Sequence, residues 1–142
     1  MNIRDIEDKL LGYSYEETHT YDYEGYRAYD YYIGRSTGPF IGGHKKGDKY
    51  TVEMSEWHTW AELGDPIAVP GLGIVSSVEN FGGLGGAGEY AWFVLRISPE
   101  DGSEPFLVRK EGYYASYDGS TWDGAFEIVE PREKTITVYE AV

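Results

Sequence analysis

From Pro66 to Val142, short apolar segments alternate with turn signals, and this pattern restricts the fold more than any other feature. "IAVPGLGIVSSVEN" sets Pro70-Gly71 between two β-rich pieces; proline sets φ at one central turn position and glycine permits φ > 0 at the next. "EYAWFVLRIS" is apolar on both faces and reads as a central strand, or as one covered by the N-terminal segments. "PEDGSE" is a turn, "PFLVRKEGYYAS" a strand and "YDGSTWDG" a turn-rich loop. "AFEIVEP" and "KTITVYEAV" read as two short closing strands, with Pro131 breaking between them. Such a succession over residues 66–142 predicts a small SH3-like β-barrel half, whose closure would remove exposed sheet edges.

The N-terminal part reads differently. Ile3, Ile6, Leu10 and Leu11 recur at helical spacing, with Asn2 placed to cap, Asp5 in the first turn and Gly12 as a stop. Residues 13–33 hold eight of the 14 tyrosines, interleaved with acids. Tyr21/Tyr23 and Tyr29/Tyr31 fit strand alternation, while Tyr26, Tyr29 and Ile33 fit a helix; a helix or irregular turn is the expectation. "GRSTGPFIGGHKKGDKY" is loop-like at both ends. Tyr50, Val52 and Met54 alternate as in a strand, and Trp57, Trp60 and Ala61 share a helical face that Gly64 and Pro66 end. The chain thus reads as one α+β, mainly β domain over 1–142, with a mixed helical, Tyr-rich layer at 1–63. At 142 residues it is long enough for a single core.

"GLGGAG", within the run Gly82, Gly83, Gly85, Gly86 and Gly88, spells G-x-G-x-x-G. Dinucleotide binding requires that motif to leave a strand and open a helix, whose amides hold the pyrophosphate. The following "EYAWFVLRI" is aromatic and β-branched, so a strand is expected and no helix N-terminus is available. A kinase-type glycine loop needs a lysine on the next strand, and a P-loop needs G-K-[ST]; neither is present. The glycines are therefore expected to form a flexible connection between strands.

Other chemistry is sparse. Without cysteine, disulfides, thiolate metal sites and thiol catalysis are excluded. His19, His44 and His58 lie in separate segments without zinc-type spacing, and a catalytic role is revived only if His44 or His58 converges with acids in a concave pocket. Asp118 to Gly124 lacks the alternating oxygen ligands of a calcium loop. No cofactor and no metal are expected. Aromatic faces mixed with carboxylates suit binding instead, and the candidate residues are Tyr21, Asp22, Tyr23, Glu24, Tyr29 and Asp30, with Tyr114, Tyr117 and Asp118. Tyr113, Trp122 and Phe126 are expected in the core.

The formal charge of −13, from 25 acids against 12 bases, disfavours direct contact with nucleic acid or an anionic membrane and favours basic partners. The start "MNIRDIEDKLLGYSYEE" carries early acids and no long apolar run, so neither a secretory signal nor a membrane anchor is expected.

"VPGLGIVSSVENFGGLGGAGEYAWFVLRI" followed by "EGYYASYDGSTWDGAFEIVEPREKTITVYE" resembles a group of small proteins encoded by tailed bacteriophages. In that group a V-P-G-L-G turn leads through a glycine-rich connection to an aromatic strand, then to G-Y-Y-x-S-Y-D-G-x-x-W-D-G and a P-x-E-K-T-x-T-V-Y-E ending. The resemblance spans about residues 66–140 and implies a phage accessory protein of the bacterial host cytoplasm, with no particular reaction chemistry. The combined expectation is a non-enzymatic protein, monomeric or a small homo-oligomer, that binds a host protein through an acidic, Tyr-rich surface. In its sharpest form, a counter-defence protein, its carboxylates imitate a phosphate array and occupy a basic or nucleic-acid-binding protein. The alternatives are a nucleotide- or sugar-binding protein with the glycine loop as lid, and a virion assembly component.

Overall fold

β-Branched and aromatic residues draw nearly half of the chain into strands, and the computed structural model is mainly β, with two short helices among the residues described, 1–82, 89–115 and 119–142. The chain divides into two compact units: Met1–Gly12 with Ser55–Val142, and Tyr13–Met54. The boundary therefore does not follow the expected 1–63 layer. The N-terminal helix and the Trp57 helix belong with the later strands, and the Tyr-rich residues stand as a unit of their own.

In the first unit, helix α1 (Ile3–Leu11) begins as its sequence dictates. The Asn2 side chain accepts the Asp5 N–H at 2.9 Å, Asp5 reaches back to the Asn2 N–H, and Gly12 closes the last turn. Ile6 and Leu10, one helical turn apart, are buried. Helix α2 (Trp57–Ala61) buries Trp60. Strands β5 (Ile67–Val69), β6 (Gly73–Gly82), β7 (Glu89–Pro99), β8 (Phe106–Ala115), β9 (Gly119–Thr121) and β10 (Phe126–Val129) form an antiparallel sheet ordered β10-β8-β7-β6-β5, with β9 also on β8.

The Pro70-Gly71 turn joins β5 to β6, and Gly71 takes a positive φ of 79°. Two residues later Gly73, at φ 140°, lies so close to β7 that a Cβ would run into the Ser98 carbonyl and within 2.8 Å of Pro99 Cα. Strand β7 occupies the middle of the sheet, as its composition requires. Ala91, Phe93, Leu95 and Ile97 are buried on one face, beside Val75 of β6 and Val108 of β8. Each such large apolar side chain contributes about 1.5–3 kcal/mol on burial. Trp57 covers this face from α2, its ring 4.7 Å from Phe126 and 6.2 Å from Phe93. Lys110 is buried beside it, with Nζ 5.2 Å from the Trp57 ring and donating to the Gly124 carbonyl at 2.6 Å.

Two expectations for this half fail. No closed barrel is present among the described residues: β5 and β10 end the strand order and do not pair with each other. "KTITVYEAV" pairs with none of the described residues, and residues 130–142 form no strand. A period-2 pattern makes a strand only when a ladder partner satisfies its backbone, and none is supplied here.

The second unit consists of two antiparallel pairs, β1 (Ser14–Thr18) with β4 (Lys49–Glu53) and β2 (Tyr26–Asp30) with β3 (Arg35–Ile41). Residues 13–33, expected as a helix or irregular turn, are thus two strands with irregular backbone between them and a turn after, and no helix. Asp30 accepts the Tyr32 N–H at 2.8 Å and so starts the reversal into β3. The mixed tyrosine period has a physical reason: apart from Met54, 2% exposed, the unit buries no large side chain, so no core face imposes a period.

Candidate functional site

The Tyr-rich unit builds its surface from loops held by backbone pairing. Tyr23 and His44 exchange both backbone hydrogen bonds, at 2.8 and 2.6 Å, which ties the segment after β1 to the segment before β4. His19 is fixed in the same way, its N–H donating to the Asp48 carbonyl and its carbonyl accepting from Gly47. These contacts stack the His19 ring between His44 (centroids 3.5 Å apart) and Tyr50 (4.2 Å). Tyr21 meets His44 edge-on at 5.4 Å, and Tyr23 tilts against it at the same distance. The Tyr50 hydroxyl donates to Glu17 at 2.7 Å, a bond that pushes the phenol pKa above its ordinary value.

Beside the stack lies an open hollow of about 680 Å³, lined by Asp22, Tyr23, Glu24, Phe40, His44 and Asp48 among others. Two of its carboxylates are engaged: Asp22 accepts the Lys46 N–H at 2.7 Å, and Asp48 the Lys45 N–H at 3.0 Å. Nε2 of His44 is buried without a hydrogen-bond partner among the described residues. His44 thus shares a concavity with acids, but Asp22 and Asp48 are taken up by backbone N–H groups and its Nε2 bonds to none of them, so no acid–base pair forms there among the described residues. Exposed His58 pairs with Glu56 at 3.2 Å. No group of three or more His, Asp or Glu able to hold a metal ion is found among the described residues.

The predicted residues divide accordingly. Tyr21, Asp22, Tyr23 and Glu24 come together around His44. Tyr29 and Asp30 stand at the turn end of the β2–β3 hairpin, where Tyr29 meets Tyr31 edge-on at 5.0 Å. Tyr31 and Tyr32 project beyond it, 88% and 100% exposed. At the other end Arg27 lies 4.1 Å over the Phe40 ring and donates to the Gly38 carbonyl.

Tyr114 belongs to the other unit, and there the expected roles are exchanged. Tyr114 is half-buried while Tyr113 is 49% exposed, because alternation from buried Val108 and Lys110 sends even positions of β8 inward. Trp122, half-buried, lies edge-on to core Phe93 at 5.0 Å. Tyr117, Asp118, Gly83, Gly85, Gly86 and Gly88 lie outside the described residues. Gly82 ends β6, paired with Ala91, and β7 begins at Glu89, so a strand follows the glycine run as expected. His19 and His44 were missed as neighbours because 25 positions separate them; the β1–β4 register and the Tyr23–His44 backbone pair bring them together.

Net charge and tyrosines are distributed unequally between the units. Residues 13–54 carry seven acids against five bases and nine tyrosines, whereas the rest of the chain carries eighteen acids against seven bases. Acids are about equally dense in both, and the difference lies in the bases, so the net charge is −2 over residues 13–54 and −11 over the rest. No helix is long and apolar enough to cross a membrane among the described residues. Comparison with protein families, with curated proteins and with solved structures finds no match.

Proposed function

We propose that this is a non-enzymatic binding protein, a phage accessory protein of the host cytoplasm, that engages a host protein through the aromatic surface of residues 13–54. One observation carries this reading: the Tyr-rich segment is exposed. Tyr21, Tyr23, Tyr26, Tyr29, Tyr31 and Tyr32 all keep at least two-fifths of their surface in solvent. A soluble chain seldom leaves that many large rings uncovered without a partner for them, and tyrosine gives wide contact area at low entropic cost. The near-neutral charge of these residues fits a contact made mainly by ring faces, and the strongly acidic remainder favours a basic partner by steering its approach. A phosphate-array mimic would draw on those remaining acids and not on the tyrosines. The SH3-like arrangement belongs to the same proposal: the successive hairpins from β5 to β8 supply a scaffold of that kind, although unclosed.

The test is capture from a bacterial lysate over a salt series, repeated with a purified candidate and with a Tyr21→Ser, Tyr31→Ser, Tyr32→Ser variant. The expected result is a basic protein whose retention weakens with salt and is lost in the variant. Retention equal in the variant and the parent overturns the reading.

A second reading, a small-molecule binder, is favoured by the hollow at His44, where Tyr23 and Phe40 supply ring faces and buried Nε2 lacks a partner. Thermal-shift screening against nucleotides and glycans tests it, because a saturating ligand must raise the melting temperature.

A further inference from the structure

We infer that residues 134–140 are an exchange strand, which adds to the free edge of β10 in a second copy of this chain. The segment "KTITVYE" has the composition and period of a strand. Ile136 and Val138 fall on one face, Thr135, Thr137 and Tyr139 on the other. Here they pair with none of the described residues, and Ile136 and Val138 are 73% and 68% exposed.

The complementary surface is in the same chain. Among the described residues β10 pairs with β8 alone, and its other side there presents unpaired backbone donors and acceptors. Ile128 sits opposite buried Val108, on the core face of the sheet, yet about half of it is uncovered. Next to it opens a cavity of about 400 Å³ whose apolar lining includes Ile6, Leu72, Phe106 and Ile128. A strand laid along β10 continues the sheet by one position. Its Ile136/Val138 face then lies on the core side, over Ile128 and that cavity, while Tyr139 faces outward.

A second copy is the occupant because the chain's own tail, set off from β10 by Glu130-Pro131, leaves this edge open. Reciprocal exchange between two copies satisfies both edges and both tails at once and closes as a two-fold dimer. The aromatic surface of residues 13–54 takes no part, so this inference and the proposed function fail independently.

The absence of cysteine allows a direct test. Glu127→Cys and Thr137→Cys variants of the full chain, each with one thiol, are mixed and oxidised. A mixed disulfide in excess of the two same-variant disulfides then forms only if the tail of one copy lies along β10 of the other. All three disulfide products have twice the 16.0 kDa chain mass, so peptide mapping identifies the expected one, which joins position 127 of one copy to position 137 of the other. Sedimentation of the parent should show a monomer–dimer equilibrium, lost in an Ile136→Lys, Val138→Lys variant that leaves the fold and its tryptophan fluorescence unchanged. A parent that sediments as a monomer at every concentration overturns the inference, even if its tail is protected from hydrogen exchange. So does a mixed disulfide in no such excess.

Discussion

Replacing Gly73 by alanine tests the packing of the sheet at its tightest backbone approach. Two penalties combine at this position. A non-glycine residue at φ 140° lies in a region that costs about 1–3 kcal/mol. The new Cβ also meets the Ser98 carbonyl and Pro99 Cα, which are backbone of the central strand and cannot swing aside as a flexible side chain would. Forcing that strand outward costs about 1–3 kcal/mol more. Together they make about 2–6 kcal/mol, or a melting temperature lower by roughly 8–24 °C for a chain of this size. Gly71→Ala is the control two residues away. Its φ is also positive, but the nearest atom is Lys9 Nζ, at 3.0 Å on a mobile side chain. There the strain is partly offset by lost freedom of the unfolded chain, leaving about 1 kcal/mol. All four tryptophans, Trp57, Trp60, Trp92 and Trp122, belong to the sheet-containing unit, so fluorescence-detected urea or thermal unfolding reads that unit directly. Equal losses for the two substitutions would refute the reasoning, because they would mean that β6 and β7 do not approach as described.

Other outcomes follow from the same geometry. Lys110→Met keeps the buried stem but removes the charged bond to Gly124, and should cost about 1.5–3 kcal/mol in urea unfolding. Asn2→Ala removes one half of the capping box and should cost about 1 kcal/mol, with the amides of the first turn of α1 exchanging faster. Three phenols should ionise late in an absorbance titration: Tyr15 and Tyr90, raised first by burial, and Tyr50, raised first by its bond to Glu17. Folding favours their protonated forms, so the stabilisation they bring is present below the ordinary tyrosine value near 10 and is lost as pH rises through their folded values. Glu17→Gln should return Tyr50 toward the ordinary range, seen as an earlier step in the phenolate absorbance.

Strands, turns and caps of the sheet-containing unit were legible in the sequence because each depends on neighbours a few positions away. Asn2 and Asp5 cap α1 through three residues of local chain, and Pro70-Gly71 turns through two. The run "EYAWFVLRIS" carries enough apolar residues to belong in mid-sheet, and it pairs on both sides. The extended conformation after the glycine run was readable for the same reason, and with it the lack of a helix start to hold an anion.

What only the tertiary structure decided is which residues face water. Residues 13–33 contain both periods, and no local preference separates them when neither face is buried. Tyr113 and Tyr114 exchange expected roles because the register of β8 beside β7, and not the character of adjacent residues, sets the inward face. His19 and His44 stack because β1 pairs with β4 across more than thirty positions and Tyr23 pairs with His44. The tail shows the converse: "KTITVYE" has every local mark of a strand and forms none here, since a strand exists only where another chain segment answers its hydrogen bonds. Sequence alone specifies what each segment is able to be, because propensity and turn chemistry are local. Pairing and burial are long-range, and they settle which of those possibilities is realised.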